Sequence, residues 1–405
     1  MKDAVKKCLY HYRDLILCTL LAVPVGAVVG AIDAVFGRVL LAITDFRGSH
    51  PLQLIPFLAL GGAFVAFYYM KYGNGAEKGM GLIFAAGHGT ADRIPLRLIP
   101  FIMAGTWITH LFGGSAGREG VAVQIGATVS HWVGRRLPWQ DSTRVFLIAG
   151  MAAGFAGLFR TPLAAVFFAL EVLVAGELAY TALLPAAAAA FTASTVSGLL
   201  GLEKFAFSLT EKPELGLPLI LKLILLGLIF GVVGGTFAGS LRHLKAFFGR
   251  KLTHPVVRIA VIGAALSVLL LALYRGRYAG LGTNLIHAAF YAEQILPYDW
   301  ILKFLLTVIT LSAGFQGGEV TPLFSIGASL GAVLGALLGL PVEFAAALGY
   351  AAVFGSASNT FLAPMLIGAE IFGFAYLPYF FAVCAIAYVF NHSQSIYTGQ
   401  KVSQE

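Results

Sequence analysis

The chain has 405 residues, 59% of them hydrophobic and 11% charged, with a mean hydropathy of +0.85. Soluble domains carry about 25% charged residues, so a water-soluble globule is excluded. The net charge of +8 does not point to nucleic acid, because excess Lys and Arg in an apolar chain set membrane topology; no nucleic-acid partner is expected.

In chain order, long continuous apolar runs at Leu15 to Gly30, Leu52 to Met70 and Leu217 to Gly239 predict an all-α polytopic membrane protein embedded in a lipid bilayer. A barrel would show short alternating segments instead. Lys2, Lys6, Lys7 and Arg13 precede the first run, and no small-residue cleavage site follows, so an uncleaved first helix is expected. Cys8, Cys18 and Cys384 are scattered and no Cys/His pair has ligand spacing; no metal site, cofactor or disulfide framework is expected. Residues 113 to 120 read Gly113-Gly114-Ser115-Ala116-Gly117-Arg118-Glu119-Gly120, an acid and a base inside a glycine cluster. Ionisable groups at membrane depth are costly and mark sites. A helix starting near Val121 would leave backbone N–H groups uncovered there, and such termini attract anions.

A shift of 201 residues superimposes the two halves. Gly79 and Gly81 fall on Gly280 and Gly282, and Gly117 falls on Gly318. The register continues through Ile125-Gly126-Ala127 onto Ile326-Gly327-Ala328, Gly134 onto Gly335 and Gly154 onto Gly355, slipping by one at Pro162 and Pro364. Chance in a chain with 48 glycines explains isolated matches but not a shared register. The polar stretch Glu203 to Glu214 is the natural junction, giving half-repeats at 1–202 and 217–405, a linker at 203–216 and no soluble regulatory domain.

Loop charge orients the halves. Residues 1 to 14 carry Lys2, Lys6, Lys7 and Arg13 against Asp3 and Asp14, whereas 202 to 215 carry Lys204 and Lys212 against Glu203, Glu211 and Glu214. One helix later the bias reverses: 41 to 57 hold only Asp45 and Arg47, whereas 242 to 258 hold Arg242, Lys245, Arg250, Lys251 and Arg258. By the positive-inside rule this is an inverted-topology repeat with a cytoplasmic N-terminus, an architecture that places broken helices at the midplane. Val121 to Val133 and Val333 to Leu340 are short for a full span of roughly 20 residues and are expected to be half-helices.

Four segments converge by the repeat: Gly79-Met80-Gly81-Leu82-Ile83, Gly117-Arg118-Glu119-Gly120-Val121, Gly317-Gly318-Glu319-Val320-Thr321-Pro322 and the polar run Asn391 to Thr398. They resemble the signatures GSGIP, G(K/R)EGP, GGxFxP and the late tyrosine of the CLC family of chloride channels and anion/proton antiporters. The resemblance spans almost the whole chain. It implies a CLC-type fold, a homodimer with one pore per subunit, and an anion path at Met80, Gly81, Arg118, Gly120, Val121, Val320, Thr321 and Tyr397. Glu119 takes the position of the gating glutamate, whose carboxylate competes with the anion and carries the proton; the plain alternative is a helix cap. Tyr397 can donate a hydroxyl hydrogen bond to an anion or serve as an interfacial anchor.

The departures narrow the reading. Met80 replaces the serine of the chloride site, Ile83 and Val121 replace prolines, Thr321 enters the second signature, and Val172 stands where chloride antiporters have an inner proton-relay glutamate. Together these resemble the fluoride/proton antiporter branch, and imply fluoride export against protons. Fluoride is small and strongly hydrated, so its path must replace water with short, strong donors. Met80 is a poor partner for fluoride and either contributes C–H edges, excludes chloride, or simply packs. Glu319 is a proton or gate partner, or else a structural cap. Glu171 and Glu370 are expected to tie helices together. The alternatives are a chloride/proton antiporter or passive chloride channel of the same family, or an intramembrane enzyme or receptor-like protein; no HExxH zinc motif or sizeable soluble sensor region supports the last class.

Overall fold

The computed structural model describes residues 2–403 except 140 and 292, with side chains described from residue 12 onward; the side chains of Lys2, Lys6, Lys7 and Cys8 lie outside the described residues. The first half runs through α1 (Lys2–Ser49), α2 (Pro51–Leu54), α3 (Leu58–Tyr72), α4 (Met80–Gly87), α5 (Leu98–Leu111), α6 (Glu119–Gly134), α7 (Ser142–Phe159), α8 (Pro162–Glu171) and α9 (Leu183–Leu199). An irregular stretch then leads into α10 (Leu217–Lys251), α11 (Pro255–Ala272), α12 (Thr283–Phe290), α13 (Asp299–Ala313), α14 (Val320–Leu338), α15 (Val342–Ser358), α16 (Leu362–Phe372) and α17 (Leu377–Val389). Seven of the helical segments described are long and apolar enough to cross a membrane. The protein is a multi-pass helical membrane protein.

Order is repeated between the halves: a long helix, a short helix whose N-terminus carries the Gly79 or Gly280 loop, then a helix, a break, and the α6–α7 or α14–α15 hairpin. Small residues set the hairpin spacing. A Cβ on Gly126 would collide with the Gly150 carbonyl oxygen, and one on Gly327 would collide with that of Gly349. These are repeat-related glycines doing the same work, because close backbone approach is how helices gain packing contacts in lipid.

The halves join at their breaks. Gly117 and Gly318, equivalent by the repeat, form an antiparallel bridge in which each N–H donates to the other's carbonyl, at 2.6 and 2.8 Å. The N-termini of α6 and α14 therefore meet head to head. Lower down, α8 and α16 exchange caps: Glu171 accepts N–H bonds from Phe361, Leu362 and Ala363 at 3.2, 3.1 and 2.8 Å. Glu370 accepts from Leu163 and Ala164 at 3.3 and 2.8 Å. Each acid satisfies orphan donors at the start of the other half's helix, as expected of a pair that ties helices.

Two expectations need correction. The α6 helix begins at Glu119, not near Val121, because Val121 and Ala122 already donate to the Arg118 carbonyl at 3.1 and 3.2 Å. Val333 does not open a half-helix; it lies within the 19-residue α14. The break sits before Val320, where Gly314 and Gly317 take positive φ values.

Candidate functional site

Glu119 is wholly buried, and its carboxylate reaches across the bridge to the start of α14. Oε2 accepts hydrogen bonds from Thr321 N–H (3.1 Å), Thr321 Oγ1 (2.5 Å) and Arg118 N–H (3.3 Å). A charged acceptor at a helix N-terminus gains from both the donors and the helix dipole. Oε1 has no hydrogen-bond partner among the described residues, and Arg118 Nε stands 3.7 Å from it. Arg118 Nε and Nη1 are themselves buried and unpartnered. One carboxylate oxygen thus holds the donors of α14 while the other, buried beside the Arg118 guanidinium, accepts no hydrogen bond among the described residues.

Beside this buried pair lies a cavity of about 760 Å³ lined by Met80, Gly81, Gln124, Glu319 and Tyr397, with Arg242 and Lys245 farther out on its wall. Met80 and Gly81 open α4, where Gly79 holds a φ of 49° that a side chain would strain. Gly120 connects the cavity to the buried pair, since a Cβ there would come 3.6 Å from Glu319 Oε2. Glu319 makes no salt bridge within 4 Å among the described residues, and Lys245 offsets its charge from the same wall. Tyr397 stacks on Phe84 at 5.4 Å and meets Phe168 edge-on at 6.1 Å. Its hydroxyl makes no hydrogen bond within the described residues, so the rings fix its direction and leave the donor available.

The sequence-predicted residues therefore fall into two connected groups: Glu119, Arg118 and Thr321 at the buried end, and Met80, Gly81, Glu319 and Tyr397 around the cavity, with Gly120 between. Val121 and Val320 are placed differently. Their side chains are 0% and 1% exposed in the apolar core, so only their main-chain groups can face an anion. Val172 is likewise buried, and its carbonyl accepts from Gln400 Nε2 at 3.0 Å, so nothing ionisable occupies that position.

Two polar residues were missed by sequence reading. Gln124 donates to the Gly120 carbonyl at 3.1 Å, while its Oε1 lies buried and unpartnered beside Gly79. Lys303 is fully buried and donates to Ser115 Oγ (2.9 Å), the Tyr278 carbonyl (3.1 Å) and the Gly280 carbonyl (2.6 Å). A lone lysine in an apolar run is signal enough at membrane depth; a lone glutamine is a weaker one. Residues 113 to 117 also spell the G-x-S-x-G pattern of hydrolase elbows. Ser115 Oγ is held by Lys303 at 2.9 Å and by Thr307 Oγ1 at 2.8 Å, and Lys303 is in turn tied to the Tyr278 and Gly280 carbonyls. No group of three or more His, Cys, Asp or Glu able to hold a metal occurs among the described residues.

The family model described as voltage gated chloride channel matches residues 61–392. The chain belongs to the CLC family. A CLC relative from Pseudomonas syringae pv. tomato, named as a chloride/fluoride channel protein, is 37% identical over 93% of this chain and 85% of its own length. A crystal structure of a CLC-type fluoride/proton antiporter is 54% identical, covers 97% of this chain and 99% of its own, and superimposes with a TM-score of 0.95. A slow cyanobacterial Cl−/H+ antiporter shares the CLC fold at a TM-score of 0.81 with 22% identity. The two inverted halves and midplane breaks are the CLC architecture.

Proposed function

We propose that this chain is a secondary antiporter that exports cytoplasmic fluoride in exchange for protons, with Glu119 as gate and proton carrier. The observation that carries the reading is the carboxylate of Glu119 seated on the Thr321 N–H and hydroxyl at the start of α14. The 54% identical relative described as a fluoride/proton antiporter gives the substrate pair.

In this mechanism the ionised carboxylate and fluoride compete for the Thr321 donors. Protonation removes the charge that the helix terminus favours, so the acid leaves and the anion takes its place. Proton and fluoride then move in opposite senses because they cannot share the seat. Glu319, facing Gly120 from the cavity wall, receives or relays the proton where Val172 offers no acid. Met80, Gly81, Arg118, Gly120 and Tyr397, with the main chain of Val121 and Val320, complete the anion path. The cations Arg242 and Lys245 raise the local anion concentration at the cavity mouth.

The same reading takes 1–202 and 217–405 as the two half-repeats joined by 203–216, sets the N-terminus in the cytoplasm of a cell-membrane protein, and assembles two copies as a homodimer. Chloride is the competing anion: a chloride/proton antiporter would keep the gate but transport the larger halide. Proteoliposomes loaded with fluoride or chloride, with external pH followed during efflux, test the choice. Fluoride-selective efflux with stoichiometric proton uptake is expected; chloride exchange at equal rate, or flux without proton movement, overturns it.

A further inference from the structure

A second cavity, of about 1060 Å³, opens where the turn before α4, the α4–α5 loop and the end of α6 meet. Five cations line it: Lys78, Arg93, Arg97, Arg135 and Arg136. No carboxylate lines it, and none of the five forms a salt bridge among the described residues. The positive-inside rule explains why cations gather on this face. It does not by itself gather five exposed cations around one concavity whose lining holds no carboxylate, Asp92 and Asp141 lining the neighbouring cavity that shares Arg93 and Arg135; such a concavity attracts anions.

The other wall is apolar. Trp132 is 43% exposed and Leu96 is 44% exposed, and Leu82, Ile94 and Pro95 complete the surface. Arg136 lies over the Trp132 ring at 3.6 Å and donates to the Trp132 carbonyl at 2.6 Å. An exposed tryptophan beside arginines is how a chain meets the membrane–water interface, and an arginine held on a ring keeps its outer donors directed at one place. A free phosphate needs the cations but not the apolar wall. A phospholipid uses both.

We propose that this cavity is a binding site for one anionic glycerophospholipid, its phosphate-bearing head group held by Arg93, Arg135 and Lys78 and its upper acyl chain lying against Trp132 and Leu96. The site is joined to the ion path through the chain. Asn74, Gly75 and Lys78 line both this cavity and the one containing Met80. Lys78 ends the turn Ala76–Lys78, immediately before Gly79 and Met80. A bound head group therefore fixes the wall between the two cavities.

The test is native mass spectrometry of the purified full chain titrated separately with dioleoylphosphatidylglycerol, dioleoylphosphatidylcholine and glycerol 3-phosphate. One phosphatidylglycerol should be retained at least tenfold more tightly than phosphatidylcholine, with retention weakening as salt rises, and with no retention of glycerol 3-phosphate. Arg93→Gln with Arg135→Gln should lose the preference, and Arg93→Lys with Arg135→Lys should restore most of it. Equal retention of the two lipids, or an unchanged preference in a double glutamine variant of unaltered melting temperature, overturns the proposal. Glycerol 3-phosphate bound as tightly as the lipid would replace the lipid by a soluble phosphate. The salt and lipid comparisons on the unaltered chain stand even where a variant fails to fold, and none of these measurements depends on which anion the chain transports.

Discussion

Replacing Thr321 by valine keeps the shape of the residue and its N–H but deletes the hydroxyl that donates to Glu119 Oε2 at 2.5 Å. A hydrogen bond to a charged acceptor contributes about 1.5 to 3 kcal/mol, and at 1.36 kcal/mol per decade that is roughly 10- to 150-fold in an equilibrium constant. If fluoride and the carboxylate use the same donor, the loss falls on both. In the native background the competing gate is weakened along with the anion, and the apparent fluoride affinity should change by less than about threefold. In a Glu119→Gln background the charged competitor is gone, and Thr321→Val should weaken fluoride by the full factor, roughly tenfold or more. Calorimetric titration of fluoride into the four proteins of this cycle therefore gives a coupling of at least about 0.7 kcal/mol at 1.36 kcal/mol per decade, above the 0.3–0.5 kcal/mol roughly expected for independent sites. Equal effects of Thr321→Val in both backgrounds would refute a shared donor and, with it, direct competition at α14.

Glu119→Gln keeps the side chain's length but cannot exchange a proton, so fluoride efflux from liposomes should continue without pH change; proton-driven fluoride uptake by this variant would defeat the gate assignment. Glu319→Gln should slow exchange at least tenfold while fluoride binding changes little, whereas unchanged proton-coupled flux removes Glu319 from the proton route. Glu171→Ala strips the cap from three N–H groups at the start of α16 and should cost about 1 to 3 kcal/mol of stability, read as a lower melting temperature with residual exchange per folded molecule intact. Gln124→Leu removes the unpartnered amide oxygen beside Gly79 together with the hydrogen bond to the Gly120 carbonyl and should lower fluoride turnover per folded molecule; identical turnover would make the residue a bystander.

The repeat was legible because glycine spacing records backbone demands. Gly117 and Gly318 approach closely enough to exchange two hydrogen bonds, and a Cβ would come 2.8 Å from Pro322 Cδ at the first and 3.0 Å from Gly120 N at the second, so both positions favour glycine. Glu119 was legible for a different reason: a carboxyl in a glycine-rich break has no cheap structural use in lipid. The Glu171 and Glu370 ties were legible as matched acids near matched prolines, but not the helices they cap, because their donors lie 190 to 192 and 206 to 207 residues away. At Val121 and Val320 the motif gave the position along the chain, while the burial of both side chains in the apolar core follows from helix packing that a motif does not record. Val333 misled because a short apolar stretch bounded by glycines reads the same in the middle of a helix as at its end.

Lys303 sets the second of the two repeat-related glycine loops apart from the first. Its repeat counterpart is Ile102, which lines the cavity beside Met80, and Gln124 corresponds to Ser325. Around Gly79–Gly81 the apolar Ile102 leaves space, and the Gln124 oxygen stays unpartnered beside the loop. Around Gly280–Gly282 the lysine fills that position: its ammonium ties the Tyr278 and Gly280 carbonyls to Ser115, and its Cε and the Ser325 hydroxyl crowd Gly282. An amino group with three hydrogen-bond partners at 2.6 to 3.1 Å fills polar space that would otherwise be left unsatisfied. The second loop is thereby tied to the Gly113–Gly117 break through Ser115, and its other side borders a separate cavity of about 820 Å³ at Gly282 and Thr283. Symmetric ancestry supplies the paired helix termini, and the buried Arg47 and Lys303 packed against Gly280 and Gly282 distinguish the second loop from the first.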